Sequence, residues 1–177
     1  AIAAAEVAKA PPDGYTLLMA TNSPMSVVPA MKKSPPYDAI ADFTPISDIG
    51  RYTFFLYANA GTPFKTFKEL IAHAKANPGK LNYATGNTTG IVSFAQMNAL
   101  AGIQMTHVPY RGEPQGITDL VGGRVQLMWA TPTTGLAHVK DGKLRALVTS
   151  LKARSGLLPD VPTIYESGMP EFTIVTT

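Results

Sequence analysis

The rhythm of apolar and polar positions changes about a quarter of the way along this chain. Residues 1–10 are Ala-rich with Glu6 and Lys9 on one side, which predicts a helix that opens without a capping residue. Pro11-Pro12-Asp13-Gly14 ends it with turn chemistry. Residues 15–20 (YTLLMA) are short and nearly all apolar, the pattern of a buried parallel strand. Residues 31–45, with Ser34-Pro35-Pro36-Tyr37-Asp38, predict an ordered loop or linker.

From about Ile46 strand-like and helix-like blocks alternate. Strands are predicted over residues 52–58, 81–84, 105–110, 125–130, 144–149 and 172–176. Between them, helices are predicted from Thr66, over 90–101, 115–121 and 133–140, and a short one over 163–168. The helix at Thr66 has the strongest local signal. Thr66 and Glu69 form a capping box, Phe67, Leu70, Ile71 and Ala74 share one face, and Asn77-Pro78-Gly79 stops it. Such spacing predicts a parallel, doubly wound α/β sheet covered on both faces. No internal repeat or low-complexity tract interrupts it.

Composition narrows the class. The chain has 177 residues, 45% apolar and 15% charged, enough for one good core or two small lobes. Fifteen glycines and 15 prolines imply many tight turns. Zero cysteines exclude a disulfide scaffold and any Cys-ligated metal. The net charge of +3 is scattered, with Lys32-Lys33 as the only basic doublet, so nucleic acid is not an expected partner. No run approaches the roughly 20 apolar residues of a membrane-spanning helix. The N-terminus lacks signal-peptide character, so export would require a signal already removed.

Catalytic chemistry finds little foothold. There is no G-x-S-x-G, and His73, His107 and His138 sit in unrelated settings that suit surface, core and helix-end roles. Asp38, Asp42 and Asp48 lack a calcium-loop pattern and suit turns and caps. No catalytic residue, metal ligand or cofactor is assigned. Trp129 reads as core, although its strand's C-terminal end would face a crevice in a sheet of this type. Thr131, just beyond it, is counted among the ligand-binding candidates.

The informative stretch is Thr85-Gly86-Asn87-Thr88-Thr89-Gly90, which joins a strand end to a helix N-terminus. Unpartnered backbone N–H groups and the helix dipole favour an anion there. Gly90 is followed by Ile91-Val92, so this is no Walker A loop, and two glycines do not make a dinucleotide fingerprint. A small carboxylate suits it better than a polyphosphate. An ordinary Thr-capped turn remains the plain alternative. Thr21-Asn22-Ser23 follows the first predicted strand in the same way, and two such clusters on two lobes would make a cleft.

Eight collinear segments carry a family resemblance. They are residues 7–18 (VAKAPPDGYTLL), 42–46 (DFTPI), 63–71 (PFKTFKELI), 77–84 (NPGKLNYA), 107–112 (HVPYRG), 119–123 (DLVGG), 142–147 (GKLRAL) and 158–163 (LPDVPT). Together they resemble the periplasmic solute-binding proteins of tripartite tricarboxylate transporters, also called Bug receptors. The resemblance implies a type II periplasmic-binding-protein fold of two doubly wound lobes that close over ligand. It also implies an incomplete chain, with a truncated first lobe over 1–47, the second over 48–170 and a return strand starting at 171–177. The missing part would include a glycine-rich anion loop of the first lobe. Residues 85–90 resemble the loop that receives a ligand carboxylate. The chain departs from the family pattern in two places: Ser93-Phe94-Ala95 stands where a His-Leu-Ala run is usual, and Arg111 where lysine is common.

The resemblance therefore implies a periplasmic, non-enzymatic receptor that captures a small carboxylate for membrane components of a transporter. A ligand-sensing domain of a regulator and a small-anion-using transferase are the competing readings. A first lobe lacking strands would expose apolar edges, so the fragment is expected to associate with another copy.

Overall fold

The computed structural model describes residues 2–50 and 52–174. They fall into two compact units that divide at residue 51.

The first unit contains helix α1 (Ile2–Val7), a π-helical turn over Ser23–Val27 and the single turn α2 (Val28–Met31). Asp38 Oδ1 accepts from the N–H groups of Ile40 and Ala41, and Asp42 Oδ2 accepts from that of Asp38. Asp48 accepts from Gly50 N–H. These aspartates therefore hold turns, as expected. The strand expected over residues 15–20 does not form: Tyr15, Leu17 and Met19 are 92%, 67% and 83% exposed. A strand requires a neighbour for its backbone N–H and C=O groups, and no described strand pairs with this segment.

The second unit is built on five strands: β1 (Phe55–Asn59), β2 (Asn82–Thr85), β3 (Thr106–Pro109), β4 (Leu127–Ala130) and β5 (Leu144–Thr149). Four helices connect them: α3 (Phe67–Ala76), α4 (Thr88–Ala101), α5 (Glu113–Val121) and α6 (Pro132–Lys140). The sheet order is β3-β2-β4-β1-β5. Strands β2, β3 and β4 run parallel, whereas β1 lies antiparallel between β4 and β5. The sheet is thus mixed, not wholly parallel as the strand–helix spacing suggested. Burial on both faces explains the misleading pattern, because it gives an antiparallel strand the continuous apolar run of a parallel one.

Side-chain alternation divides the core. Phe54, Leu56, Ala58, Leu127 and Trp129 pack in one cluster with Phe67 and Leu70 of α3 and Phe94 and Met97 of α4. Phe55, Tyr57, Met128 and Ala130 face the opposite cluster with Ile117 and Leu120 of α5. Burying each large apolar side chain contributes about 1.5–3 kcal/mol.

The capping box predicted at Thr66 forms with one difference. Thr66 Oγ1 accepts from Glu69 N–H at 3.2 Å, while the Glu69 carboxylate reaches one residue further to Lys65 N–H at 2.6 Å. Helix α4 ends at Gly102, whose φ of 63° and N–H bonds to Asn98 and Ala99 close the last turn. Residues 163–168 form a capped turn instead of the expected helix. Thr163 and Glu166 exchange side-chain-to-backbone bonds at 2.7 and 3.0 Å, and Ser167 N–H reaches the Thr163 carbonyl, but the bonds that follow, from Gly168 to Tyr165 and from Met169 to Ile164, do not continue a regular helix. The strand expected over 172–176 is absent at residues 172–174, and its remainder lies outside the described residues.

Candidate functional site

The parallel run of β2, β3 and β4 brings Thr85, Pro109 and Ala130 to one edge of the sheet. Helices α4, α5 and α6 begin within a few residues of those strand ends. Three sets of N-terminal N–H groups, and three positive dipole ends, are therefore directed toward one edge.

Asn87 is the N-cap of α4. Its Oδ1 accepts from Gly90 N–H at 2.7 Å. Its Nδ2 donates to Glu113 Oε1 at 2.8 Å. Glu113 Oε2 accepts three more bonds: from Thr131 N–H at 3.0 Å, the Thr131 hydroxyl at 2.7 Å and the Thr134 hydroxyl at 2.9 Å. One half-buried carboxylate thus ties together the first turns of three helices. It also brings Thr131 alongside residues 85–90.

Sequence reasoning passed over Glu113. A usable signal was present, since Gly112-Glu113-Pro114 combines a flexible cap, an acidic first-turn residue and an early proline. That pattern starts the helix at 113, two residues before the expected start.

Thr85 closes β2 and is buried. Its hydroxyl lies 2.6 Å from His107 Nε2, and its carbonyl accepts from Tyr110 N–H. His107 in turn stacks on Tyr83 at 5.1 Å, and Tyr83 on Phe94 at 4.0 Å. The loop therefore springs from a braced strand end. Gly86 lies so near the Gly112–Glu113 backbone that a Cβ would overlap the Glu113 nitrogen. Thr88, Thr89 and Gly90 form the first turn of α4, with Thr89 and Gly90 buried and Thr88 half-buried. Thr21, Asn22 and Ser23 belong to the first unit, where Asn22 has helical backbone angles and Ser23 opens the π-helical turn.

The neighbourhood is charged enough to affect a buried phenol. Burial, and then the negative charge of Glu113, push the Tyr57 hydroxyl well above its ordinary range. Among the described residues, no group of three or more His, Asp or Glu side chains could hold a metal ion. His138 lies in the last turn of α6, and His73 packs beside the Phe64 ring.

Comparison with known proteins gives one consistent result. Residues 1–176 match the family described as tripartite tricarboxylate transporter family receptor. A UPF0065 protein of Cupriavidus necator is 38% identical over 160 residues, covering 89% of this chain and 48% of that protein. An R. palustris protein solved with adipate is 31% identical, with a TM-score of 0.89 over 97% of this chain and 58% of its own. MatC from Rhodopseudomonas palustris, solved with malate, is 29% identical, with a TM-score of 0.88 over 99% of this chain and 60% of its own. The chain spans about half the length of the curated relatives it matches.

Proposed function

Because this chain belongs to the tripartite tricarboxylate transporter receptor family, we propose that it is part of a periplasmic solute-binding receptor. In this reading it captures a small carboxylate and hands it to the membrane components of such a transporter, with no chemistry performed on the ligand.

The observation that carries the proposal is the convergence of the α4, α5 and α6 N-termini at the C-terminal ends of β2, β3 and β4. Helix N-termini at such an edge favour an anion through directed N–H groups and aligned dipoles. In structural neighbours at 31% and 29% identity, the bound molecules are adipate and malate, both carboxylates. The ligand carboxylate is assigned to the α4 N-terminus, at Thr85, Gly86, Asn87, Thr88, Thr89 and Gly90, with Thr131 beside them. Thr21, Asn22 and Ser23 are retained as further ligand-binding candidates, to be tested by their own substitutions.

The test is calorimetry of a full-length receptor containing this sequence, with adipate and malate as ligands. Thr88→Glu places a negative charge and extra bulk at the first turn of α4, and should weaken binding at least tenfold. Unchanged affinity in that variant would remove the ligand from this loop.

A further inference from the structure

Glu113 is an acidic group where the proposed site calls for an anion, and its hydrogen bonds are unevenly shared. Oε2 accepts three bonds, from Thr131 N–H, Thr131 Oγ1 and Thr134 Oγ1. Among the described residues Oε1 accepts one, from Asn87 Nδ2. A carboxylate offers about four acceptor positions, two on each oxygen. Oε2 is therefore saturated, while Oε1 retains room for a donor. That oxygen lies on the side of Asn87, the residue that caps α4.

Charge accounting points the same way. Each helix N-terminus carries roughly half a positive charge, so three together amount to about one and a half. The Glu113 carboxylate offsets most of this. The remainder favours one ligand carboxylate and opposes a second placed close to it.

Asn87 already displays the complementary pattern. Its carbonyl accepts from the first turn of α4 and its NH2 donates to Glu113, spanning the gap with a single amide. A carboxylate with an ammonium on the adjacent carbon presents the same acceptor and donor at similar spacing. Among the described residues, the nearby Tyr57 hydroxyl adds no donor to Glu113. Tyr57 is fully buried, and its ring lies against Gly135 in the first turn of α6, next to Thr134. Its hydroxyl has no hydrogen-bond partner among the described residues.

We infer that Glu113 is a specificity-determining residue that selects a ligand bearing a cationic nitrogen beside its carboxylate, as in an α-amino acid. The carboxylate sits at the α4 N-terminus and the ammonium donates to Glu113 Oε1. This inference rests on the carboxylate-receptor reading above. It goes beyond that reading because adipate lacks any such nitrogen.

NMR titration of a full-length receptor containing this sequence with aspartate, N-acetylaspartate, malate and succinate tests it. A charge-assisted hydrogen bond corresponds to about tenfold or more in affinity. Aspartate should therefore bind at least about tenfold tighter than succinate, malate or N-acetylaspartate, with shifts at residues 85–90 and 113. In Glu113→Gln that preference should shrink to less than about threefold. If the variant does not fold, the wild-type series decides alone, since N-acetylation removes the cation and leaves both carboxylates. Succinate, malate or N-acetylaspartate binding at 85–90 as tightly as aspartate overturns the inference and leaves the carboxylate reading standing. So does an amine preference that persists in folded Glu113→Gln. Binding by none of the four acids overturns both.

Discussion

At the residue scale, two glycines of one loop make opposite demands. A Cβ on Gly86 would overlap the Glu113 nitrogen and lie 2.5 Å from the Gly112 carbonyl carbon, so backbone would have to move. A Cβ on Gly90 would meet Asn87 Oδ1 at 3.5 Å and the Trp129 carbonyl at 3.7 Å, ordinary contacts. Gly86→Ala should therefore destabilise the fold by about 1–3 kcal/mol through overpacking. Gly90→Ala lies in the first turn of α4, where alanine is the better helix former, and should change stability by less than about 0.5 kcal/mol or improve it slightly. Thermal denaturation of both variants checks the contrast, and equal midpoints would contradict the close approach at Gly86. The network around Glu113 shows why residue type alone was insufficient here. Asn87 and Thr131 were identifiable as polar residues at helix starts, but their shared partner lies 26 and 18 residues away from them.

At the element scale, two starts in the second unit depend on an ionised carboxylate. Glu69 is held below its ordinary value of 4.5, chiefly by the Lys65 N–H. Glu166 is held below the same value, first by the Thr163 N–H and then by the Arg154 guanidinium. For a carboxyl group whose pKa is depressed by folding, the stabilisation is fully present above the unfolded value. It is lost as pH falls through the lower, folded one. The first turn of α3 and the turn at Thr163 should therefore hold at about pH 6 and loosen progressively below about pH 4.5. Amide exchange at Lys65 and Thr163, followed between about pH 6 and pH 3, is the measurement. Glu69→Gln and Glu166→Gln should each flatten the response at their own site. Both groups lie on the surface, so the effect belongs to local opening more than to global unfolding.

At the scale of the whole molecule, burial is divided very unevenly. The second unit packs Trp129, Tyr57, Phe55, Phe64, Phe94 and Phe172 at under 2% exposure. Among the described residues of the first unit only Ala4 and Tyr37 are buried hydrophobics, while Tyr15, Ile40, Ile46 and Ile49 are each about 79% exposed or more. Local stability follows buried apolar contact, so hydrogen exchange should separate the two. Amides of β1, β2 and β4 should be protected at least about a hundredfold more than those of residues 2–50. Equal protection would show that the apolar residues of the first unit are covered by contacts of another kind. Their exposure also favours association between copies of this chain, which light scattering would reveal as a mass above 18.8 kDa.

The sequence by itself determined the features whose causes are local. Thr66 and Glu69 marked the start of α3, and Asn77-Pro78-Gly79 marked its end. Gly102 marked the close of α4, and β5 occupies residues 144–149 as its apolar pattern indicated. Eight short segments in order were enough to indicate the family, which the match over residues 1–176 establishes. Tertiary structure decided what depends on partners distant along the chain. Strand β1 runs antiparallel because of what lies on either side of it, and an apolar run buried on both faces carries no sign of direction. Residues 15–20 have the composition of a strand but no described neighbour to complete its hydrogen bonds. Glu113 joined Asn87, Thr131 and Thr134 only when the sheet brought the starts of α4, α5 and α6 to one edge. Its acceptor oxygens could then reach Asn87, Thr131 and Thr134. Hydrogen bonds act over about 3 Å in space whatever the separation along the chain, so a network of this kind is written in the fold and not in any local motif.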